Sequence, residues 1–387
     1  MRTDLFARLA EHTAAREHDR LTRRLRTIER VDGPWVWAGG KRLLSFCSND
    51  YLGLSQHPAL LAALRSAASV GSGSAHLVCG HRAEHASLEE ALAEWTGRER
   101  ALLFSSGYMA NLGTLQALLR SGDLCVQDKL NHACLLDGAG LSGATLARYV
   151  HVDVASAARQ LATRGDVPAL LATDGVFSMD GDVAPLRELA ALCESQQATL
   201  MVDDAHGLGV LGKDGAGSID DAGLGQRQVP VLMATLGKAL GCYGAFVAGS
   251  AALIEGLLQT ARPYIYTTAT PPALAAATLA AVRVARRESW RRDRLKTLIE
   301  RFRVGAAQLD LPLLPSTTAI QPLLLGDASA ALDAAQALEA SGFLVTAIRP
   351  PTVPLGRARL RITLSAGHEE QHVDGLLDAL GRLVSRS

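Results

Sequence analysis

The stretch "LMVDDAHGLGVLGKDG", Leu200 to Gly215, decides how this 387-residue chain is read. An apolar run ends in Asp203, Asp204 and His206, and glycines follow at 207, 209 and 212 in a G-x-G-x-x-G pattern. A dinucleotide fingerprint opens a helix directly after its strand. Here the glycines run on into "KDGAGS", which cannot start one. The phosphate-loop pattern G-x-x-x-x-G-K-[ST] also fails, because Asp214 stands where a hydroxyl must meet magnesium and would repel phosphates. What remains is a buried strand with acids at its C-terminal end, and in open α/β sheets ligands gather beyond such ends.

The same pattern recurs outward from this stretch. "ALLFSS" (101–106), "ALLATDG" (169–175) and "PVLMATLG" (230–237) are short apolar runs that end in polar residues or glycine. Helix-like segments such as "SLEEALAEW" (87–95) and "PLRELAALCESQQ" (185–197) lie between them. This alternation predicts an α/β fold with a mainly parallel sheet covered on both faces. Residues 1 to about 30 have helical spacing and suggest an exposed helix, and "WVWAGGKRLLSF" (35–46) reads as a hairpin turned at Gly39-Gly40. From Ser289 a long charged helix leads into a smaller α+β pattern. The expected organisation is an N-terminal segment 1–45, a large domain 46–285 and a C-terminal domain 286–387.

Composition narrows the function. Lys+Arg and Asp+Glu both count 39, so no basic excess argues for nucleic acid or a membrane surface. No run approaches the roughly 18 apolar residues of a membrane span, and the N-terminus lacks a secretory h-region. Six scattered cysteines read as reduced and buried, which suggests the cytoplasm. Two histidine patterns invite a metal. "HEEQH" (368–372) fits a zinc-protease motif but reads as the charged first turn of a helix, on its solvated flank. His81 and His85 read as part of an amphipathic helix, so no metal is required.

Only five lysines occur: Lys41, Lys129, Lys213, Lys238 and Lys296. Lys238 differs from the rest, because it follows an apolar strand after a tight Thr-Leu-Gly turn with no charged residue in the preceding eight. A lysine in apolar surroundings has a lowered pKa and can attack a carbonyl. Asp203 ends a strand 35 residues upstream, so the two can meet at one sheet edge. A strand-end carboxylate and a lysine amine are what pyridoxal 5'-phosphate needs, one to keep its ring nitrogen protonated and one to bind its aldehyde. His206 can hydrogen-bond the ring's phenolic oxygen. In "FSSGYMANLGTLQALL", Gly107 and Tyr108 begin a helix whose free N–H groups suit a phosphate. Thr235 adds a hydroxyl, and His132 is the candidate to stack on the ring.

On these residues the chain resembles the α-oxoamine synthases, fold type I pyridoxal-phosphate enzymes that condense an amino acid with an acyl thioester and release CO2. The resemblance runs through "SNDYLGL" (48–54), "GSGSAHLVCGH" (71–81), "SSGYMAN" (105–111), "NHACLLDG" (131–138), "DGVFSMDGD" (174–182), "VDDAHGLGVLG" (202–212), "TLGKALG" (235–241) and "YTTATPP" (266–272). It implies a mainly parallel seven-stranded sheet and a homodimer with shared active sites. Lys238 would carry the covalent link to the cofactor and Asp203 would pair with the ring nitrogen. Ser178 and His206 would contact the phenolic oxygen, and His132 would stack. Gly107, Tyr108 and Thr235 would hold the phosphate, with Thr267 or Thr268 reaching the phosphate of the neighbouring subunit. Arg23, Asn49, His132, Arg349, Thr352 and Arg361 would surround the substrates. Strand alternation in "ARLRITL" (358–364) puts Arg359, Arg361 and Thr363 on one face, with Arg361 suited to a carboxylate and Arg359 read as a surface arginine. The segment "TAIRPPTVPLGRARLRITLSAGH" (346–368) looks most like the members that join L-alanine to a pimeloyl thioester, carried on coenzyme A or acyl carrier protein. A glycine-using sister enzyme is the nearest alternative. A non-catalytic scaffold subunit would be expected to have lost Lys238. Asp174 departs from the glutamate also common in the family.

Overall fold

The computed structural model describes residues 4–19 and 21–384. Among them the strands are β1 (Arg30–Asp32), β2 (Trp35–Ala38), β3 (Lys41–Ser45), β4 (Arg100–Phe104), β5 (Leu124–Asp128), β6 (Thr145–Tyr149), β7 (Ala169–Asp174), β8 (Thr199–Asp203), β9 (Val231–Thr235), β10 (Ala245–Gly249), β11 (Ile320–Gly326), β12 (Phe343–Leu344), β13 (Thr346–Ile348) and β14 (Ala358–Thr363). The chain divides into two compact units, one of residues 49–178 and 182–294, the other of residues 1–48, 179–181 and 295–387. The exposed N-terminal helix spans Leu5–His18. Positions 1–3 and 20 of the helix expected there lie outside the described residues.

The unit containing residues 49–178 is built on a seven-stranded sheet in the order β4-β10-β9-β8-β7-β5-β6. All neighbours are parallel except β10, which runs antiparallel to β4 and β9. Every residue of β5 and β10 is buried, as expected for strands covered on both faces. The register sets Asp174 opposite Asp203, and Asp203 opposite Met233, so the polar strand ends form one row. Two helices that start beside this row, Gly107–Leu118 and Ala133–Ser142, pack closely against each other. Gly138 allows that approach, since a Cβ there would sit 2.7 Å from Leu115 Cδ1.

The glycines after β8 only turn the chain, as the sequence suggests. Gly209, Gly212, Gly215 and Gly217 all have positive φ. They wrap around Asp204, whose carboxylate accepts from the Ser218 N–H (2.8 Å) and hydroxyl (2.6 Å). A Cβ at Gly207 would meet Asp204 Oδ1 at 2.1 Å. Asp204 is therefore an internal strut of this turn, and of the two adjacent acids only Asp203 faces a ligand site. Burial pushes the pKa of Asp204 up to about 7, with the Ser218 bonds opposing.

In the other unit, β12 runs parallel to β3 and extends the hairpin to a four-stranded sheet, β1-β2-β3-β12. The expected separate segment 1–45 thus shares a unit with the C-terminal residues, because a lone hairpin cannot bury its own face. The charged helix Trp290–Gln308 crosses the boundary at 294, later than the expected 285. A second sheet, β11-β14-β13, has β14 at its centre with all six residues buried. Arg359 is consequently no surface arginine. It is 1% exposed, pairs with Asp180 at 2.9 Å and donates to the Met179 and Arg357 carbonyls. His368 is likewise buried rather than solvated: Nδ1 accepts from Ser365 N–H, Nε2 donates to the Ser45 carbonyl, and the ring stacks on Phe46 at 4.2 Å. His372 is half-buried, edge-on to Trp35. Both "HEEQH" histidines are packing residues. Among the described residues no helix is long and apolar enough to cross a membrane.

One ion cluster fixes the loop that follows β7. His151 donates from Nδ1 to Asp128 (3.0 Å) and from Nε2 to Asp182 (2.8 Å), with its ring edge-on to Phe177. Burial alone would lower the imidazole pKa, but the two carboxylates raise it to about 10. This contribution is fully present below pH 6.5, declines as pH rises from 6.5 toward 10, and is gone above that. His151→Ala is expected to lose roughly 1–3 kcal/mol of stability near neutral pH, by leaving charged partners unpaired. Urea melts of both proteins across this range should show the gap closing as the solution turns alkaline; a pH-independent gap contradicts the cluster's charge state.

Candidate active site

The row of strand ends opens into a cleft of about 200 Å³. Asp203, the last residue of β8, is 5% exposed, and both its carboxylate oxygens are held. Oδ2 accepts from Asn111 Nδ2 at 2.7 Å and Oδ1 from the Ala205 N–H at 3.0 Å. Asn111 is fully buried one turn into the helix Gly107–Leu118, so the helix that begins at Gly107 also aims the acid. Beside it, burial and then repulsion from Asp203 hold the Asp174 carboxyl well above the usual pKa. Lys238 and the His132 backbone N–H partly oppose that shift, the latter by donating to Asp174 Oδ2 at 3.0 Å.

Lys238 follows β9 across a Thr-Leu-Gly turn and is half-buried. Its neighbour is not the apolar wall expected from sequence but a histidine: Nζ lies 2.8 Å from His206 Nε2. His206 Nδ1 lies 2.7 Å from the Tyr51 hydroxyl, which donates to Asn49 Oδ1 at 3.1 Å. One proton assignment satisfies all three bonds. Tyr51 donates to Asn49, His206 Nδ1–H donates to Tyr51, and Nε2 keeps a lone pair for the lysine. The chain Asn49–Tyr51–His206–Lys238 thus orients the amine and offers a path for its proton.

His132 forms another side of the cleft, at the N-cap of the helix Ala133–Ser142. Burial lowers its pKa and Lys238 adds to the effect, while Asp203 opposes it. The ring is therefore neutral near pH 7. Its Nδ1 accepts from the Cys134 N–H (3.3 Å) and lies 2.8 Å from Cys134 Sγ, a thiol that burial and Asp203 keep protonated. With Nδ1 occupied as acceptor, Nε2 carries the proton and is a donor. Opposite, Ser106 caps the helix Gly107–Leu118 by accepting from Met109 N–H, and the first turn supplies backbone N–H groups suited to an anion. Thr235 closes this end, its hydroxyl donating to the Gly244 carbonyl at 3.0 Å.

Eight of the ten residues expected around a cofactor line this cleft: Gly107, Tyr108, His132, Ser178, Asp203, His206, Thr235 and Lys238. Thr267 and Thr268 do not. Thr267 is half-buried and Thr268 exposed, the latter bridged to Ala75. Asn49 lies behind Tyr51 and reaches the site through it. Arg23, Arg349, Thr352 and Arg361 belong to the other unit. There burial, then the charges of Arg23 and Arg16, lower the pKa of Arg349. Thr352 is exposed, its N–H donating to the Arg349 carbonyl, and Arg361 is buried on β14. Sequence reading missed Tyr51, Asn111 and Asp174 as working members. The first two sit inside quoted motifs, but their partners are 155 and 92 positions away.

The donor set fits pyridoxal phosphate: an anion cradle, a carboxylate for a cationic ring nitrogen, and an amine for an aldehyde. The chain belongs to the aminotransferase class I and II family, whose model matches residues 41–380. It is 57% identical over 382 residues to the 8-amino-7-oxononanoate synthase of Alkalilimnicola ehrlichii, covering 98% of each chain. Identity is also 57% to that of Pseudomonas putida over 383 residues, covering 98% of this chain and 97% of the relative. Among solved structures, a serine palmitoyltransferase from S. paucimobilis with a bound PLP–myriocin aldimine superposes with a TM-score of 0.93 at 27% identity over 98% of each chain. An 8-amino-7-oxononanoate synthase from Francisella tularensis gives 0.76 at 31% identity, covering 89% of this chain and 98% of that one. The fold is that of fold type I pyridoxal-phosphate transferases.

Asn111→Ala tests the hold on Asp203. Removing a buried donor from a carboxylate is expected to cost roughly 1–3 kcal/mol in urea melts of the cofactor-free protein, and to speed cofactor loss. Unchanged stability and cofactor retention would show that this bond does not fix the acid.

Proposed function

We propose that this chain is an 8-amino-7-oxononanoate synthase: it joins L-alanine to a pimeloyl thioester and releases CO2 and the free thiol. The observation that carries this reading is the meeting of Lys238 and Asp203 in one cleft with the helix start at Gly107. The relatives' shared name supports the choice of substrates. In this reading it is a cytoplasmic enzyme of biotin synthesis, working as a homodimer in which Thr267 or Thr268 serves the neighbouring subunit's phosphate.

When bound, pyridoxal phosphate supplies an electron sink that stabilises negative charge at the amino acid's Cα. Asp203 is the counter-charge for the ring nitrogen, held by Asn111 and the Ala205 N–H. Gly107, Tyr108 and Thr235 would hold the phosphate, and Ser178 and His206 would lie beside the phenolic oxygen. The Lys238 amine takes the proton from alanine Cα, with His206 at 2.8 Å to fix its position. A C–C bond then forms between alanine Cα and the thioester carbonyl carbon, while the C–S bond breaks and the departing thiolate takes up one proton from solvent. His132 would stack on the ring, and its Nε2–H would donate to the thioester oxygen as charge develops there. The alanine carboxylate leaves as CO2, and Lys238 returns a proton to the carbon. Arg23, Asn49, Arg349, Thr352 and Arg361 bind the two substrates, with Arg361 suited to the alanine carboxylate.

A mass-spectrometric product assay decides the reading. Alanine with pimeloyl-coenzyme A or with pimeloyl-acyl carrier protein is expected to yield 8-amino-7-oxononanoate, and Lys238→Ala to lower turnover by roughly 10²–10⁴-fold or more. Product from glycine and a short acyl thioester, with none from alanine and either pimeloyl donor, would assign a sister reaction instead.

A further inference from the structure

Away from the cleft, three histidines spaced H-x4-H-x3-H in sequence meet in one cluster. His76 opens a π-helical turn, His76–Gly80, of the kind that recurs at functional sites. Gly80 permits the turn, since a Cβ there would lie 2.1 Å from the Ser74 carbonyl oxygen. His81 follows the turn, and His85 lies in the first turn of the helix Ala83–Trp95. The turn folds the three rings onto one another, with centroids 5.0–5.5 Å apart. Their nitrogen ligand atoms all fall within 4.8 Å. Reading His81 and His85 as one helix face was wrong: the helix begins at Ala83, so only His85 lies in it, and His76 and His81 arrive from the turn before it.

We propose that His76, His81 and His85 bind a divalent transition-metal ion of the zinc class. Two imidazole nitrogens on a tetrahedral zinc, at about 2.0–2.1 Å each, lie about 3.4 Å apart. His76 Nδ1 and His81 Nδ1 are 3.1 Å apart, close to that spacing, with room between them for one proton or one ion. The outer partners are those a metal-bound histidine takes. His85 Nε2–H donates to the Thr270 carbonyl at 2.7 Å, which puts its lone pair on Nδ1. His81 Nε2 faces Glu89 Oε2 at 3.7 Å, and the other Glu89 oxygen is anchored by Leu103 N–H at 3.0 Å. The His76 ring is held flat against Tyr264 at 5.0 Å. Burial lowers the pKa of all three imidazoles, and repulsion from neighbouring rings adds to it at His76 and His81. One hydrogen bond competes: His85 Nδ1 accepts from Arg82 N–H at 2.9 Å. Ion binding at His85 Nδ1 would have to release this donor. Arg82 and Glu84 flank His85 with opposite charges that act on it in opposite directions.

Nothing in this site depends on the reaction proposed for the cleft, and its test reads metal, not turnover. The cofactor-loaded protein is stripped with a chelator, dialysed, and titrated with Zn2+ alone by calorimetry and with Co2+ alone by its visible d–d bands. The expected result is one ion per chain with a tetrahedral cobalt spectrum. His81→Ala, at an exposed position, should keep the cofactor absorbance and melting temperature while weakening zinc binding by roughly 100-fold, and Glu89→Gln by about 10-fold. Equal zinc affinity in the wild type and His81→Ala, or no stoichiometric ion in the wild type, overturns the proposal.

Discussion

The site depends on a register: β7, β8 and β9 run parallel and in step, so Asp174, Asp203 and Met233 end up side by side. A parallel ladder buried on both faces cannot slip by one residue without turning its whole side-chain set around. Asp203 therefore has one direction in which to point, and the turn after β9 delivers Lys238 to the same edge. Burying two carboxylates together is costly. It is tolerated because Asp203 has two donors, Asp174 is pushed toward its neutral form, and Lys238 supplies positive charge nearby.

Supporting bonds reach this row from distant parts of the chain. Asn111 reaches Asp203 from the helix whose first turn cradles an anion, and Gly138 lets the helix behind His132 pack against it. Asn49 and Tyr51 approach His206 from a loop far upstream in sequence. Position, charge and tautomer of the reacting groups are thus set by side chains remote from them in sequence.

What could be read beforehand followed the range of each signal. The parallel sheet, Lys238, Asp203 and the helix start at Gly107 were legible because each depends on a strand end and its own turn. Tyr51 and Asn111 were not, since their roles exist only once distant segments meet. Arg359 and His368 were misplaced for one reason: a polar side chain was assigned to solvent, whereas β14 is a central strand and His368 caps its own loop under Phe46. The segment 1–45 looked independent because its partner strand, β12, lies some three hundred residues later.

The central claim is a covalent one, that the amine of Lys238 holds the cofactor's aldehyde carbon. Borohydride reduction of the protein loaded with pyridoxal phosphate makes that bond permanent, and peptide mapping by mass spectrometry then locates it among the five lysines. A stoichiometric pyridoxyl label on Lys238 alone is the predicted result. Label on Lys129 or any other lysine, or none at all, would contradict the account.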